Sequence, residues 1–406
     1  MDLKCIFNLT ILVSQISLSS TQNVNVVIQG ATSTGETDDN FVCATLDWWP
    51  TEKCNYNQCP WGKDLKKKGL INAIKAFNPL RIKVGGSLQD QVVYGVGGVK
   101  NCPNFMKNED SLFGFSQGCL PMERWDELKK LFIQTGVKVT FGLNALLGRN
   151  RSQIEKGLWV GDWKSQNARD FMKYTISKGY KADSSEFDIV VLKNLVKELH
   201  PDPKTQPKVL GPSGYYDEKW FNSFLEVSGH DVVDGVTHHI YNLGPGDDPN
   251  MITKIQDPSY LNQVAQTYKG VLNIVNKFKP QSGAWVSESG GALHGGAKDL
   301  SPTFADGFWY LDQLGMASSY NHKVFCRQTL IGGNYALLNT TTSIPNPDYY
   351  GALLWHRLMG STVLAVTQES NPNLRVYAHC ANKKLGISTI FINLSKDSSF
   401  NVTLSN

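Results

Sequence analysis

One acid, Glu288, stands in the stretch GAWVSESGGALHGG (residues 283–296), between a short apolar run and a cluster of glycines. A run as apolar as AWVS does not end casually in a carboxylate. Gly290 and Gly291 beside it leave room for a ligand to approach the backbone. Taken alone, the pattern fits a capping carboxylate as well as a nucleophile or general base. A second run, THHIYN, ends in an x-His-x-Tyr pattern, and the two-residue period of a strand aims His239 and Tyr241 at the same face. Tyr241 can donate to a carboxylate and His239 can hold a hydroxyl; a buried His–Tyr pair reads equally from these residues alone. In LIGGNY, the amides of Gly332 and Gly333 and the Tyr335 hydroxyl are donors suited to a ligand that carries a carboxylate. Trp48, Trp49, Trp125 and Trp285 suit stacking on sugar faces, and they suit a core as well, where Trp125 belongs by its helical spacing.

Such residues need a scaffold that brings strand ends together. Apolar runs ending in small or polar residues recur at 41–49 (FVCATLDWW), 80–87 (LRIKVGGS), 137–145 (VKVTFGLNA), 208–214 (KVLGPSG), 234–242 (DGVTHHIYN), 283–291 and 323–333 (KVFCRQTLIGG). Helical patterns lie between them. ERWDELKKLFIQTG puts Trp125, Leu128, Leu131 and Phe132 on one face before a glycine stop, and IVVLKNLVKEL does the same with Ile189, Leu192, Val196 and Leu199. Alternating strand and helix over about 300 residues predicts a parallel sheet closed by crossover helices, a (β/α)8 TIM barrel. Seven strands are clear, and YKADSSEF (180–187) must supply the fourth. In such a barrel the chemistry sits at the C-terminal ends of the strands, which singles out Asp47, Ser87, Asn144, His239, Tyr241, Glu288, Gly333 and Tyr335.

The chain divides on this reading into a leader (1–21), an N-terminal segment (22–40) able to join a β-sheet, the barrel (41–361) and a C-terminal β-unit (362–406). The β-unit alternates without helical signals and resembles part of an antiparallel β-sandwich with too few strands. Open edges on such a unit predict aggregation. Lys4, the apolar run and Ser19, Ser20 and Thr21 read as a secretory signal. Four sequons, at Asn150, Asn339, Asn393 and Asn401, fit glycosylation of a secreted chain.

The 406 residues carry a formal charge of only +4, and Lys and Arg are spread out, so nucleic-acid binding has no support. No stretch approaches the ~18 apolar residues of a membrane span, which leaves at most peripheral membrane association. Eight cysteines, one of them in the leader, leave seven for disulfides in an oxidising compartment, and one must lack a partner. Their spacing makes no zinc site, and the reading calls for no metal and no cofactor.

Motifs in order along the chain then carry a resemblance: FVCATLDWWPTEKCNYNQCPWG, LRIKVGGSLQDQVVY, FGFSQGCLPMERWDEL, VTFGLNALLGR, VLGPSGYYD, THHIYNLGPG, WVSESGGALHGG and LRVYAHC. Together they resemble the plant heparanase-like proteins of glycoside hydrolase family 79. The resemblance implies a barrel with a β-sandwich that hydrolyses β-linked glucuronic acid with retention, in the extracellular space, the cell wall or a vacuolar compartment. It makes Glu288 the nucleophile at the end of strand seven and Asp47 a sugar contact, with His239 and Tyr241 near the nucleophile. Gly333, Asn334 and Tyr335, with Gly295 as a looser match, would hold the glucuronate carboxylate.

The resemblance also exposes two losses. A retaining glycosidase uses two carboxyl groups about 5–5.5 Å apart, and the family supplies the second from an Asn-Glu pair ending strand four, before a loop. Here YKADSSEFDIVVLKNL runs from strand to helix with neither. Glu186 matches an earlier Glu of that strand, and Glu186, Asp183 and Asp188 are the substitutes within reach. The stop at Asn406 removes the cysteine that pairs with the one matching Cys380, which makes Cys380 the expected free thiol. Two other readings follow from these losses: a non-catalytic glucuronide-binding protein, and an unstable truncated isoform.

Overall fold

The computed structural model describes residues 20–47, 65–154, 159–186, 189–368 and 371–405. Eight parallel strands close into a barrel. Taken in order, they are Val42–Asp47, Arg81–Gly85, Lys138–Gly142, Ser184–Glu186, Lys208–Tyr215, Gly235–Ile240, Ala284–Ser289 and His322–Arg327, called strands one to eight below. The predicted fourth strand is present and is the shortest, three residues paired to strand three at Gly142↔Glu186 and to strand five at Leu210↔Glu186.

The helices follow the apolar spacing. Met122–Thr135 buries Trp125, Leu128, Leu131 and Phe132 and ends where Gly136 takes φ 71°, the left-handed conformation that a glycine adopts without a Cβ clash. Ile189–Leu199 buries Ile189, Leu192 and Val196, while Leu199 is half-buried at its end. Trp125 and Trp285 are both in the core, which removes them from sugar stacking; Trp48 and Trp49 lie outside the described residues.

Inside the barrel, Cys43, Leu210, Trp285, Val324 and Cys326 form an apolar cluster from strands one, five, seven and eight. The Arg81 guanidinium lies 4.8 Å from the Trp285 ring centroid. The Cys43–Cys326 disulfide joins the first strand to the last, side by side in register. A second disulfide, Cys102–Cys119, closes the loop after strand two. Cys380 is free, as expected, and Cys54 and Cys59 lie outside the described residues.

A separate five-stranded sheet follows the barrel. Its N-terminal strand, Ser20–Glu36, lies between Met359–Gln368, to which it is antiparallel, and Ser398–Ser405, to which it is parallel. Leu374–Ala381 and Ile387–Asn393 complete it. Residues 20 and 21, assigned to the leader by their sequence, begin this strand. Val24, Val26, Ile28, Leu364, Leu374 and Ala378 make its own small core. The sheet docks on the barrel helix Phe304–Ser319, where the Tyr377 hydroxyl donates to Asp312 at 2.6 Å and His379 bonds Ser318 at 3.1 Å. Among the sequons, Asn150, Asn393 and Asn401 are exposed, whereas the half-buried Asn339 spends its side-chain carbonyl capping the turn to Thr341 and Thr342.

Candidate active site

Glu288 is the penultimate residue of strand seven and lies opposite His239 of strand six. The pairing slips between His238 and His239, so a bulge re-aims this end of the sheet. His238 points into the core, where its Nε2 lies 2.9 Å from Nε2 of His322, while His239 and Tyr241 share the opposite face. The Tyr241 hydroxyl donates to Glu288 Oε1 at 2.7 Å. Burial, then the Glu288 charge, raises the Tyr241 pKa well above its ordinary value, so the phenol remains a donor. Of the two uses that the sequence left open for Tyr241, its hydroxyl takes the bond to a carboxylate.

Asp47 ends strand one, buried, and accepts from Gln328 Nε2 at 2.7 Å; the same amide reaches the Tyr335 hydroxyl at 3.4 Å. Thr45 donates to the Gln328 carbonyl and holds this amide in orientation. The Tyr335 pKa is raised by burial and by Asp47, with Glu288 a smaller cause, so the phenol stays protonated within reach of both carboxylates' fields. The loops after strands seven and eight are stitched together, the Asn334 amide N–H donating to the Gly295 carbonyl at 2.7 Å and its side chain to Gly296 at 3.3 Å. Gly295 and Gly333 adopt φ of 90° and 81°, and a Cβ on Gly333 would stand 2.9 Å from the Tyr335 ring. Those two glycines, Asn334 and Tyr335 thus form one cluster. Ser87 opens a helical turn, Ser87–Gln91, beyond strand two. Asn144 donates from Nδ2 to the Val92 carbonyl at 2.8 Å, while its buried Oδ1 has no hydrogen-bond partner among the described residues.

Four side chains near the site carry no signal in the sequence reading. Ser213, near the end of strand five, lies 3.1 Å from His239 Nε2 and 3.2 Å from Ser287 Oγ. The buried Lys83 ammonium donates to Ser213 across the barrel at 3.3 Å. Tyr215 closes strand five with its ring centroid 6.4 Å from His239 and 6.3 Å from Tyr241. The strand-end position that marks His239 and Glu288 marks Ser213 and Tyr215 of strand five equally. Gln328, just beyond strand eight, holds the corresponding position there.

The substitutes for a second carboxylate fare differently. Asp183 precedes strand four at the opposite end of the barrel and pairs with Arg81, which also reaches Asp38 at 3.5 Å. It cannot serve a site at the C-terminal ends, which corrects its candidacy. Glu186 ends strand four by its backbone pairing, but its side chain and all of Asp188 lie outside the described residues.

A family description matches this architecture: that of the glycosyl hydrolase family 79 N-terminal domain fits residues 23–189 and 186–315. The chain belongs to glycosyl hydrolase family 79. It is thus a glycosidase of the heparanase and β-glucuronidase family, hydrolysing O-glycosyl bonds. Heparanase-like protein 1 of Arabidopsis thaliana is 51% identical over 413 residues, covering 95% of this chain and 76% of the relative. Baicalin-beta-D-glucuronidase of Scutellaria baicalensis is 39% identical over 408 residues, 91% of this chain and 77% of that protein. Among solved structures, the GH51 arabinofuranosidase of Xanthomonas axonopodis pv. citri superposes with a TM-score of 0.68 at 14% identity over 95% of this chain and 88% of that one, a likeness of fold alone. Within family 79, the Tyr241–Glu288 pair ending strands six and seven is an arrangement able to present a carboxylate to a sugar's anomeric carbon. Among the described residues no three His, Cys, Asp or Glu side chains gather to hold a metal.

Proposed function

We propose that the chain is a β-glucuronidase-type retaining hydrolase by descent, with Glu288 the nucleophile and the strand-four acid/base lost. The single observation that carries the first half is the 2.7 Å hydrogen bond from Tyr241 to Glu288 at the ends of adjacent strands. The second half is supported by strand four ending at Glu186 and the next helix beginning at Ile189. The two segments that fit the family description meet at this junction, overlapping at 186–189. The alignment with the Arabidopsis relative is longer than this chain while using 95% of it, so the relative carries residues that this chain lacks.

A glucuronate fits the donor cluster: Tyr335 and the glycine-lined turn at Gly295 and Gly333 for its carboxylate, Asp47 and His239 for hydroxyls. Baicalin-beta-D-glucuronidase, by its name, acts on a glucuronide. The Cys43–Cys326 and Cys102–Cys119 disulfides suit a secreted protein of the extracellular space or cell wall.

In the proposed chemistry a Glu288 oxygen attacks the anomeric carbon, the bond to the leaving oxygen breaks and its electron pair departs with that oxygen. A glucuronyl ester of Glu288 results. Without an acid the leaving group must tolerate its own negative charge, and without a base the ester waits for an acceptor that needs no deprotonation, such as azide. Losing general acid–base catalysis costs about 10²- to 10⁴-fold. The test is a stopped-flow assay of 4-nitrophenyl β-D-glucuronide: a stoichiometric burst of phenolate, then turnover accelerated by azide with β-glucuronyl azide as product. Ordinary turnover of sugar-linked glucuronides without azide would overturn the loss of the acid.

A non-catalytic glucuronide-binding protein is the second reading, favoured by the Asp47–Gln328–Tyr335 cluster, which involves no residue of strand four. Calorimetry with glucuronic acid oligosaccharides, with no detectable heat from folded protein, would remove it.

A further inference from the structure

We propose that Tyr215 is a specificity residue for the leaving group, forming with the edges of His239 and Tyr241 a platform for a flat aromatic aglycone. The proposal rests on the reading of Glu288 as a glucuronidase nucleophile and deepens it to a substrate class, the aryl glucuronides.

Its position argues first. Strands five, six, seven, eight and one follow one another around the barrel. Apart from His239, the donors suited to a glucuronate lie to one side of Glu288: Asp47 on strand one, and Tyr335, Gly333 and Gly295 in the joined loops after strands eight and seven. A sugar seated there, with its anomeric carbon at Glu288, turns its departing substituent toward strands six and five, where Tyr215 stands.

The ring itself argues next. Tyr215 is 60% exposed although it ends a barrel strand directly opposite His239. Its neighbour Tyr216 is the one that packs, 5.2 Å from the Phe221 ring and against Gly270, where a Cβ would stand 2.6 Å from it. The two consecutive tyrosines thus do different things: one anchors the loop and the other offers a face. Beside them is a cavity of about 270 Å³ lined by Tyr215, Tyr216, Tyr241, Asn242, Tyr260 and Thr267, among others. Tyr260 is held there by donating to the Asn242 carbonyl at 2.7 Å.

The chemistry of the lining selects among occupants. Among the described residues, none lining this cavity is an acid, a lysine or an arginine, and the nearby Lys254 is paired with Asp248 at 2.6 Å, so the described lining offers a sulfated or otherwise polyanionic glycan no unpaired lysine or arginine. A phenol also departs without a proton far more readily than a sugar alcohol does, which is what a site lacking its acid requires. Aromatic rings in edge or offset contact gain about 0.5–1.5 kcal/mol, equivalent to roughly two- to twelvefold.

The test compares two substrates in the presence of azide: 4-methylumbelliferyl β-D-glucuronide, and β-D-glucuronyl fluoride, which has a good leaving group and no aglycone. Tyr215→Ala is expected to lower kcat/KM for the aryl substrate about two- to twelvefold more than for the fluoride, and Tyr215→Phe to restore the aryl rate. Equal losses on both substrates, or no loss on the aryl one, would overturn the assignment. If the unaltered protein consumes neither substrate and Glu288 is never labelled, the glucuronidase reading itself fails, and this proposal falls with it by a visibly different pattern.

Discussion

The Tyr241 hydroxyl and the Glu288 carboxylate are joined by a 2.7 Å hydrogen bond between two strand ends 47 residues apart in sequence. One oxygen of the carboxylate is thereby committed to the phenol, and in the proposed chemistry the other attacks. A hydrogen bond to a charged group contributes about 1.5–3 kcal/mol. Tyr241→Phe should therefore slow glucuronylation of Glu288 by roughly one to two orders of magnitude, read as the burst rate with an activated glucuronide. Because burial and Glu288 raise the tyrosine's pKa well above 10, no alkaline decline from this group should appear up to pH 10. An unchanged burst rate would deny the pair any catalytic part.

Arg327 supports the same end of the barrel from beneath. Its Nη2 lies 2.6 Å from both Asp306 Oδ2 and Asp348 Oδ2, and all three side chains are buried. Burial raises both carboxyl pKa values, and the guanidinium opposes this. Arg327→Met should cost about 3–5 kcal/mol by urea denaturation at pH 7.5, as expected for uncompensated buried charge. With the arginine gone, both acids are more easily protonated in the folded state, so the deficit should shrink at pH 5.

His322 and His238 give the opposite pH sign. Burial lowers the His322 pKa to about 3, and His238 is likewise held well below its ordinary value. The unfolded chain takes up these protons near pH 6.5 while the folded one does not, so stability falls with pH below 6.5 and continues falling toward about 3. Each such histidine contributes a slope of up to ~1.4 kcal/mol per pH unit. His322→Gln should flatten the denaturation midpoint between pH 6.5 and 5, above most carboxylate titration; an unchanged slope would contradict the buried neutral pair.

The docking of the sheet on the barrel can be tested at Gly315. A Cβ there would stand 2.2 Å from the Tyr377 ring, which donates to Asp312. Gly315→Ala should destabilise by about 1–3 kcal/mol through overpacking, despite alanine's better helix propensity. In the same helix, Gly307 has only an Asp348 oxygen at 3.4 Å, so Gly307→Ala is the control and should leave the melting temperature nearly unchanged or raised.

Much of this molecule was legible in one dimension. Strand runs and amphipathic helices are periodic over a few residues, so 138–142 or 189–199 can be read from side-chain type alone. So can the shared face of His239 and Tyr241, because a strand alternates. Glu288 stood out for a comparable local reason, an acid closing an apolar run beside glycines.

What required tertiary structure was every relationship set by closure. The sequence offered Asp183 as an acid near strand four, but only the barrel's direction places it beside Arg81 at the wrong end. The Cys43–Cys326 partnership spans 283 residues and follows from strand one meeting strand eight. Gln328, Ser213 and Lys83 enter the site because strands two, five and eight face a common interior, and the N-terminal strand enters the five-stranded sheet between two segments from the far end of the chain. Periodicity specifies which way a side chain points from its own strand, and nothing in it specifies which distant strand that side chain will face.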